Sequence, residues 1–382
     1  MNNNILITFV NAIDPTSGGV ERVYHNLAPF FTKRGDKVYA IYKKRSEYDS
    51  QSFYTEVFWD DEDGESFEGY YRIIDNVISK HNINVVICPF PSYQLFGYLS
   101  CKSSLKVFFH VHNVPSTLML SSPRTIPSFL KNTIVDRCIR RVRQIVRYES
   151  SFRQIERNGM KVVLLSEQFR DDMKKVWHFK DATITSIPNP FCIDMDFKIE
   201  KQKKEKVILY VGRLSEKQKR ITSLLKIWKK IQDRIPDYRL DIVGGGPDQS
   251  IYEQMVIDMQ LKRVNFYGFQ NPEEYYKKSV IFFMTSNYEG FPMVLVESMQ
   301  YGCVPFAFNS FASLTDVIDD GENGIIIPTF DEDEYAERIV KFVNMSDAQK
   351  LTFRRNAIEK SKTFSVENIG KKWLKLIDNY LK

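Results

Sequence analysis

The residues best placed to do chemistry are Glu289 and Glu297, in the stretch Met284-Thr285-Ser286-Asn287-Tyr288-Glu289-Gly290-Phe291-Pro292-Met293-Val294-Leu295-Val296-Glu297-Ser298-Met299. The apolar run Val280 to Met284 reads as a buried strand; a polar turn with Gly290 follows, and a helix restarts with Pro292 in its first turn. A helix opening there aims free backbone amides and the positive end of its dipole at the loop, which suits a phosphate. One carboxylate then lies in the loop and the other on the helix. Spacing alone carries nothing, because Glu359 and Glu367 repeat it with no strand before them. The strand, loop and helix around the first pair make the difference.

Those side chains need a frame, and the chain supplies alternating strand and helix patterns throughout. Ile5 to Val10 reads as a first, central strand, Asn11 to Gly19 as a polar loop, and Val20 to Arg34 as a helix with Val20, Val23, Leu27, Phe30 and Phe31 on one face. Further strands are expected at Lys37 to Tyr42, near Val57, at Asn84 to Cys88 and at Lys106 to Val111. Lys161 to Leu165 is expected to be the last of this half. The second half repeats the plan with Lys206 to Val211, Arg239 to Val243, Val264 to Tyr267, Val280 to Met284, Val304 to Phe308 and Ile325 to Ile327. Repeated β-α-β spacing implies an α/β chain with two doubly wound parallel sheets. Ile187-Pro188-Asn189-Pro190 and the Lys-rich passage to Lys206 mark the junction. The expected division is 1–190, 191–363 and a terminal amphipathic helix at 364–382, carrying Val366, Ile369, Trp373, Leu376 and Ile377.

Ligands of open parallel sheets bind outside the carboxyl ends of the strands. Gly18-Gly19, His112, Ser166, Gly212-Arg213, Gly244 to Gly246, Gly268 and Glu289 all directly follow expected strands. They should line one rim on each domain, and two facing rims would make a cleft. A Gly-rich rim with helix N-termini and a fixed cation suits a diphosphate.

The words Glu289-Gly290-Phe291-Pro292-Met293-Val294-Leu295-Val296-Glu297-Ser298-Met299 and Tyr301-Gly302-Cys303-Val304-Pro305 closely resemble the donor-binding signature of the retaining glycosyltransferases of family 4. That resemblance implies the GT-B fold, two Rossmann-like domains facing across a cleft. It implies that Glu297 accepts from the ribose hydroxyls of a nucleoside diphosphate sugar and that Glu289 touches the donor sugar. The amides of Phe291, Met293 and Val294 would hold sugar and distal phosphate. Gly212-Arg213-Leu214 followed by a Lys resembles the family's cationic segment; the spacing departs by one residue, leaving Lys219 as first choice and Lys217 as the alternative. Two cations at a diphosphate would offset the charge that builds as the sugar leaves. Gly18-Gly19 resembles the family's glycine loop, where Gly19 lets its amide approach a phosphate; a tight turn without a ligand is the alternative. Gly245 belongs to the same expected donor rim. His112 matches the strand-end His near the transferred sugar, and His110 would share its face only if the strand continued. The terminal helix is expected to cross back and brace the N-terminal domain.

Other features carry less. Asp61-Glu62-Asp63, Asp194-Met195-Asp196 and Asp331-Glu332-Asp333 match the DxD pattern of metal-dependent transferases, but each sits in an acidic loop away from the rim, so no metal or cofactor is expected. Arg124 to Lys161 holds ten Arg or Lys against three acids, with Ile134, Ile139, Val142, Ile145 and Val146 interleaved. A basic amphipathic helix can lie on an anionic membrane; a solvated helix over the domain is the alternative. No nucleic-acid module accompanies the charge.

At 382 residues and 43% hydrophobic the chain is long enough for two cores, and no apolar run reaches the length of a membrane span. The N-terminus lacks a basic region and a long apolar stretch, so a cytoplasmic chain is expected, possible contact with the membrane's inner face aside. Five cysteines without a CxxC pair suggest reduced, mostly buried thiols. The net charge of +6 is modest. Within these bounds the resemblance implies a retaining, metal-independent glycosyltransferase that moves a sugar from a nucleoside diphosphate sugar to a glycan or lipid-linked acceptor, in cell-surface polysaccharide synthesis. The alternatives are a GT-B nucleotide-sugar epimerase and a non-catalytic glycan-binding protein on the same frame.

Overall fold

The computed structural model describes residues 2–10, 19–43, 53–59, 67–89, 93–115, 134–192, 197, 199 and 203–380. The chain divides into two units, Met1–Pro190 with Val366–Lys382, and Phe191–Ser365. Each is built on its own sheet.

In the first unit β1 (Asn4–Phe9), α1 (Gly19–Lys33), β2 (Lys37–Tyr42), β3 (Glu56–Trp59), α2 (Phe67–Lys80), β4 (Val85–Cys88), α3 (Tyr93–Ser100), β5 (Lys106–Val111), α4 (Ile134–Arg157), β6 (Lys161–Leu164), α5 (Arg170–Lys174) and β7 (Ile184–Ser186) follow in order. The seven strands lie in the order β3-β2-β1-β4-β5-β6-β7, all parallel. Ile5, Ile7, Val85, Ile87 and Phe108 are fully buried, as strands covered on both faces require. The edge strand β7 was not foreseen from the sequence. Only one of its three residues, Ile184, is apolar, and Thr185 and Ser186 are half-buried, so it carries no apolar run to read. The C-terminal helix, numbered α14 in chain order (Val366–Asp378), packs on α1. Its Gly370 makes room for Phe30, since a Cβ there would lie 2.3 Å from the Phe30 ring. Trp373 meets Phe108 edge-on, and the Tyr380 hydroxyl accepts from the Val107 amide at 3.2 Å.

The second unit runs β8 (Val207–Val211), α6 (Glu216–Lys219), α7 (Ile221–Ile231), β9 (Arg239–Val243), α8 (Gln249–Asp258), β10 (Val264–Phe266), α9 (Glu273–Lys278), β11 (Ile281–Met284), α10 (Met293–Gln300), β12 (Val304–Phe308), α11 (Leu314–Val317), β13 (Ile325–Ile327), α12 (Glu332–Val343) and α13 (Asp347–Lys362). Its sheet has the order β10-β9-β8-β11-β12-β13, again all parallel. The chain winds outward from β8 in both directions, so the gap between β8 and β11 is the topological switch point where such sheets take ligands.

The cysteines correct one expectation. None forms a disulfide, but only Cys88 and Cys303 are buried, while Cys101, Cys138 and Cys192 are exposed because they sit on a turn, a helix surface and a loop. Among the described residues no helix is long and apolar enough to cross a membrane.

Candidate active site

The second unit brings the loops after β8, β9, β10 and β11 together at the carboxyl edge of its sheet. The Gly212 amide donates to Val243 O at 3.0 Å, Leu214 to Gly245 O at 3.0 Å and Gly244 to Gly268 O at 2.7 Å. These bonds lock three loops edge to edge and set the glycine requirement. A Cβ on Gly244, at φ +132°, would lie 2.0 Å from the Gly212 carbonyl oxygen, and one on Gly246 2.1 Å from that of Leu214. At Gly245 the nearest atom would be Gln249 Oε1 at 3.8 Å, an ordinary contact. The middle glycine is therefore spared by packing, although its neighbours are not.

Beyond β8, α6 ends after one turn because Arg220 adopts the left-handed conformation, φ 49° and ψ 53°. A non-glycine residue holds that conformation only when its surroundings enforce it. Here the Arg220 guanidinium lies 4.1 Å over the Phe330 ring, and Nη2 donates to Ser223 Oγ at 2.9 Å. The loop after β11 grips the same turn. Thr285 Oγ1 donates to Lys219 O at 2.8 Å, the Asn287 amide to Gln218 O at 2.7 Å and Asn287 Nδ2 to Lys217 O at 2.8 Å.

That grip places Lys219 Nζ 2.6 Å from Glu289 Oε1, with both side chains nearly buried at 14% and 9% exposure. Gln218 Nε2 reaches Glu289 Oε2 at 3.4 Å. Lys217, one face round, is exposed, and Arg213 is exposed with its carbonyl accepting from the Tyr210 hydroxyl at 3.1 Å. Burial holds the Tyr210 phenol well above its ordinary range, with the Glu289 charge adding to the effect. A fixed cation beside a fixed carboxylate, at a switch point, can neutralise one end of an anionic ligand while the carboxylate meets its polar or cationic part.

Helix α10 opens one residue later than the sequence suggests, with Pro292 at its N-cap. The Met293 amide donates to Phe291 O at 2.9 Å. Val294 sits in the first turn, whose amides have no acceptor inside the helix. The Phe291 side chain is buried beside Phe191 and Phe364, with ring centroids 6.3 and 5.4 Å away, and thereby anchors the loop. Glu297 lies one turn into α10, half-buried, and accepts from the Tyr276 hydroxyl at 3.1 Å. Tyr276 and Gln218 were not singled out in the sequence. Nothing local marks a Tyr in a six-residue helix as a partner of a Glu twenty-one positions later.

In the first unit Gly19 opens α1, and Gly18 lies outside the described residues. His112 follows β5 directly and is buried. It does share a face with His110: the rings are 4.0 Å apart, and the hydroxyl of Tyr24 on α1 lies 2.6 Å from His110 Nδ1 and 3.5 Å from His112 Nε2. A hydroxyl has one proton, so it donates to only one of them. Burial lowers the His110 pKa to about 3 and pushes that of His112 well below its ordinary value, with His110 adding to the effect. Both rings are neutral at pH 7.

Among the described residues no group of three or more His, Cys, Asp or Glu could hold a metal. Asp331 is occupied as the cap of α12, accepting from the Glu334 amide at 2.9 Å, and Asp333 pairs with Lys230. Asp61 to Asp63 and Asp194 to Asp196 lie outside the described residues.

Comparison with known families agrees with this frame. The model for glycosyl transferases group 1 matches residues 193–363, and that for Glycosyltransferase Family 4 matches 17–194. The chain belongs to glycosyltransferase family 4. Its two units carry the family's GT-B fold. Anabaena HepE, solved in complex with UDP and glucose, superposes at a TM-score of 0.72 over 98% of this chain and 99% of that one, at 17% identity. A Haemophilus influenzae uncharacterized glycosyltransferase is 30% identical over 52% of this chain and 58% of its own length. A Campylobacter jejuni GalNAc-α-(1→4)-GalNAc-α-(1→3)-diNAcBac-PP-undecaprenol α-1,4-N-acetyl-D-galactosaminyltransferase is 27% identical over 46% of this chain and 48% of its own length. The matched stretch thus spans about half of each of these relatives.

Proposed function

We propose that this chain is a retaining glycosyltransferase that moves a sugar from a UDP- or GDP-linked donor to a glycan or lipid-linked acceptor in cell-surface polysaccharide synthesis. The observation that carries the reading is the Lys219–Glu289 contact at the switch point, with Glu297 one turn into the following helix. The second unit takes the donor. Glu297 holds the ribose, Arg213 and Lys219 face the diphosphate with the backbone of Gly212 and Gly245, and Glu289 meets the sugar with the turn from Phe291 to Val294. The first unit takes the acceptor near His112. The UDP of HepE and the undecaprenol-linked glycan in the Campylobacter enzyme's name support these classes of donor and acceptor.

Retention here needs no protein nucleophile. The departing diphosphate oxygen helps deprotonate the acceptor hydroxyl on the same face of the sugar, while the cations stabilise its charge. The engagement of Glu289 by Lys219 favours an electrostatic role for it over attack on the anomeric carbon. No metal takes part.

The test is nucleotide release from UDP- and GDP-sugars with and without a lipid-linked glycan, in excess EDTA. Release that depends on acceptor and survives the chelator is expected, with the product's anomeric proton showing the donor's configuration. Acceptor-independent release, an inverted product, or loss in EDTA restored by Mg²⁺ would each overturn its part of the reading.

A further inference from the structure

Glu297 does not reach its position unaided. Its Oε2 accepts from the hydroxyl of Tyr276, the fourth residue of α9, and that ring is itself held from several sides. Tyr276 is 2% exposed, its ring lies parallel to Tyr301 at 6.2 Å, and Phe282 stands 6.0 Å away. Its carbonyl accepts from Lys204 Nζ at 2.7 Å and from the Cys303 thiol at 3.1 Å. Side chain and backbone of Tyr276 are therefore both fixed, so its hydroxyl is a stationary donor aimed at one carboxylate oxygen.

We infer that Tyr276 is a positioning residue for nucleotide binding: its hydroxyl holds Glu297 in the rotamer that receives the ribose. This rests on the assignment of Glu297 to the ribose made above. A carboxylate has lone pairs for about four hydrogen bonds, so the bond from the phenol is compatible with acceptance from sugar hydroxyls as well. Without that hydroxyl Glu297 loses the hydrogen bond at Oε2, and the nucleotide must supply the part of its ordering that this bond provides. An unordered side chain of this length weakens binding by about 3- to 10-fold. The effect is the same in ground and transition states, so it falls on affinity and spares kcat.

The probe is whichever of UDP and GDP raises the melting temperature of the wild-type chain more, and the measurement is calorimetry on wild type, Tyr276→Phe, Glu297→Ala and the double variant. Phe keeps the buried ring, and unchanged far-UV dichroism confirms the fold. The expected result is a 3- to 10-fold weaker Kd for Tyr276→Phe, a larger loss for Glu297→Ala, and no further loss in the double variant. Donor KM rises in Tyr276→Phe with kcat within about twofold. Equal losses from Tyr276→Phe with and without Glu297, or none while Glu297→Ala is impaired, overturn the inference. No loss in Glu297→Ala overturns the ribose assignment beneath it.

Discussion

Lys219 and Glu289, seventy residues apart in sequence, form a 2.6 Å ion pair whose two side chains are nearly buried. The pair is held by the hydrogen bonds that Thr285 and Asn287, in the loop after β11, donate to the backbone of α6, not by the two side chains alone. Glu289→Gln removes the carboxylate's charge and frees Lys219 for an anionic ligand. Nucleoside diphosphate affinity should stay the same or tighten, while kcat falls about 10² to 10³, the cost of losing one preorganised electrostatic contact. Lys219→Met strands Glu289 and should destabilise the fold by about 2 to 3 kcal/mol, somewhat less than for a fully buried pair. The double variant should recover most of that loss in urea denaturation. Additive losses would mean that the pair is not coupled.

The three glycines after β9 should separate cleanly. Gly244→Ala and Gly246→Ala drive a methyl group into backbone carbonyls and should each cost about 3 kcal/mol or more. Gly245→Ala makes only an ordinary contact with Gln249 and should melt within a few degrees of wild type. If its nucleotide affinity nevertheless drops, the ligand approaches the backbone there. Equal melting temperatures for all three variants would contradict the close approach of these loops.

The histidines make acid stability predictable in sign. The native-state pKa of His110 is about 3, against an ordinary value of 6.5. Below pH 6.5 the unfolded chain binds a proton that the native ring refuses until about pH 3. Its contribution to stability is thus complete above pH 6.5 and is lost as the pH falls, at about 1.4 kcal/mol per pH unit. Between pH 7 and 5 wild type should lose about 2 kcal/mol more than His110→Gln, which does not titrate there. Chemical denaturation at both pH values measures this, and an equal loss in the two proteins would show that His110 is already charged in the native state.

The basic segment 124–161 invites a membrane test. In its helix α4 the C-terminal half is core: Tyr148, Phe152 and Ile155 are buried, and Phe96 of α3 meets the Tyr148 and Phe152 rings edge-on. Val142, by contrast, is 60% exposed. Any contact with lipid therefore belongs to the N-terminal half. Sedimentation should show binding to anionic phosphatidylglycerol vesicles that weakens several-fold from about 50 to 300 mM salt, and none to neutral vesicles. Replacing Arg140, Arg141 and Arg143 with Glu should abolish it. No binding to anionic vesicles at low salt would overturn the membrane reading of this segment.

What was legible in the sequence was local. Strand, loop and helix around Glu289 and Glu297, and the parallel winding of both sheets, follow from apolar runs and turn residues that neighbours in the chain display together. Even there, β7 escaped because a three-residue edge strand with a single apolar residue has no pattern to display. Tertiary structure decided what the chain brings together from a distance. Lys217 and Lys219 look alike in a basic run; the left-handed turn at Arg220, enforced by Phe330 and Ser223, and the grip of Thr285 and Asn287 are what turn Lys219 rather than Lys217 onto Glu289. The face shared by His110 and His112, the Tyr276 hydroxyl on Glu297, and the need for glycine at 244 and 246 but not at 245 likewise depend on approaches between loops and side chains. Periodicity reports which face of an element is apolar, whereas a contact between elements depends on how their surfaces pack, and no local pattern encodes that.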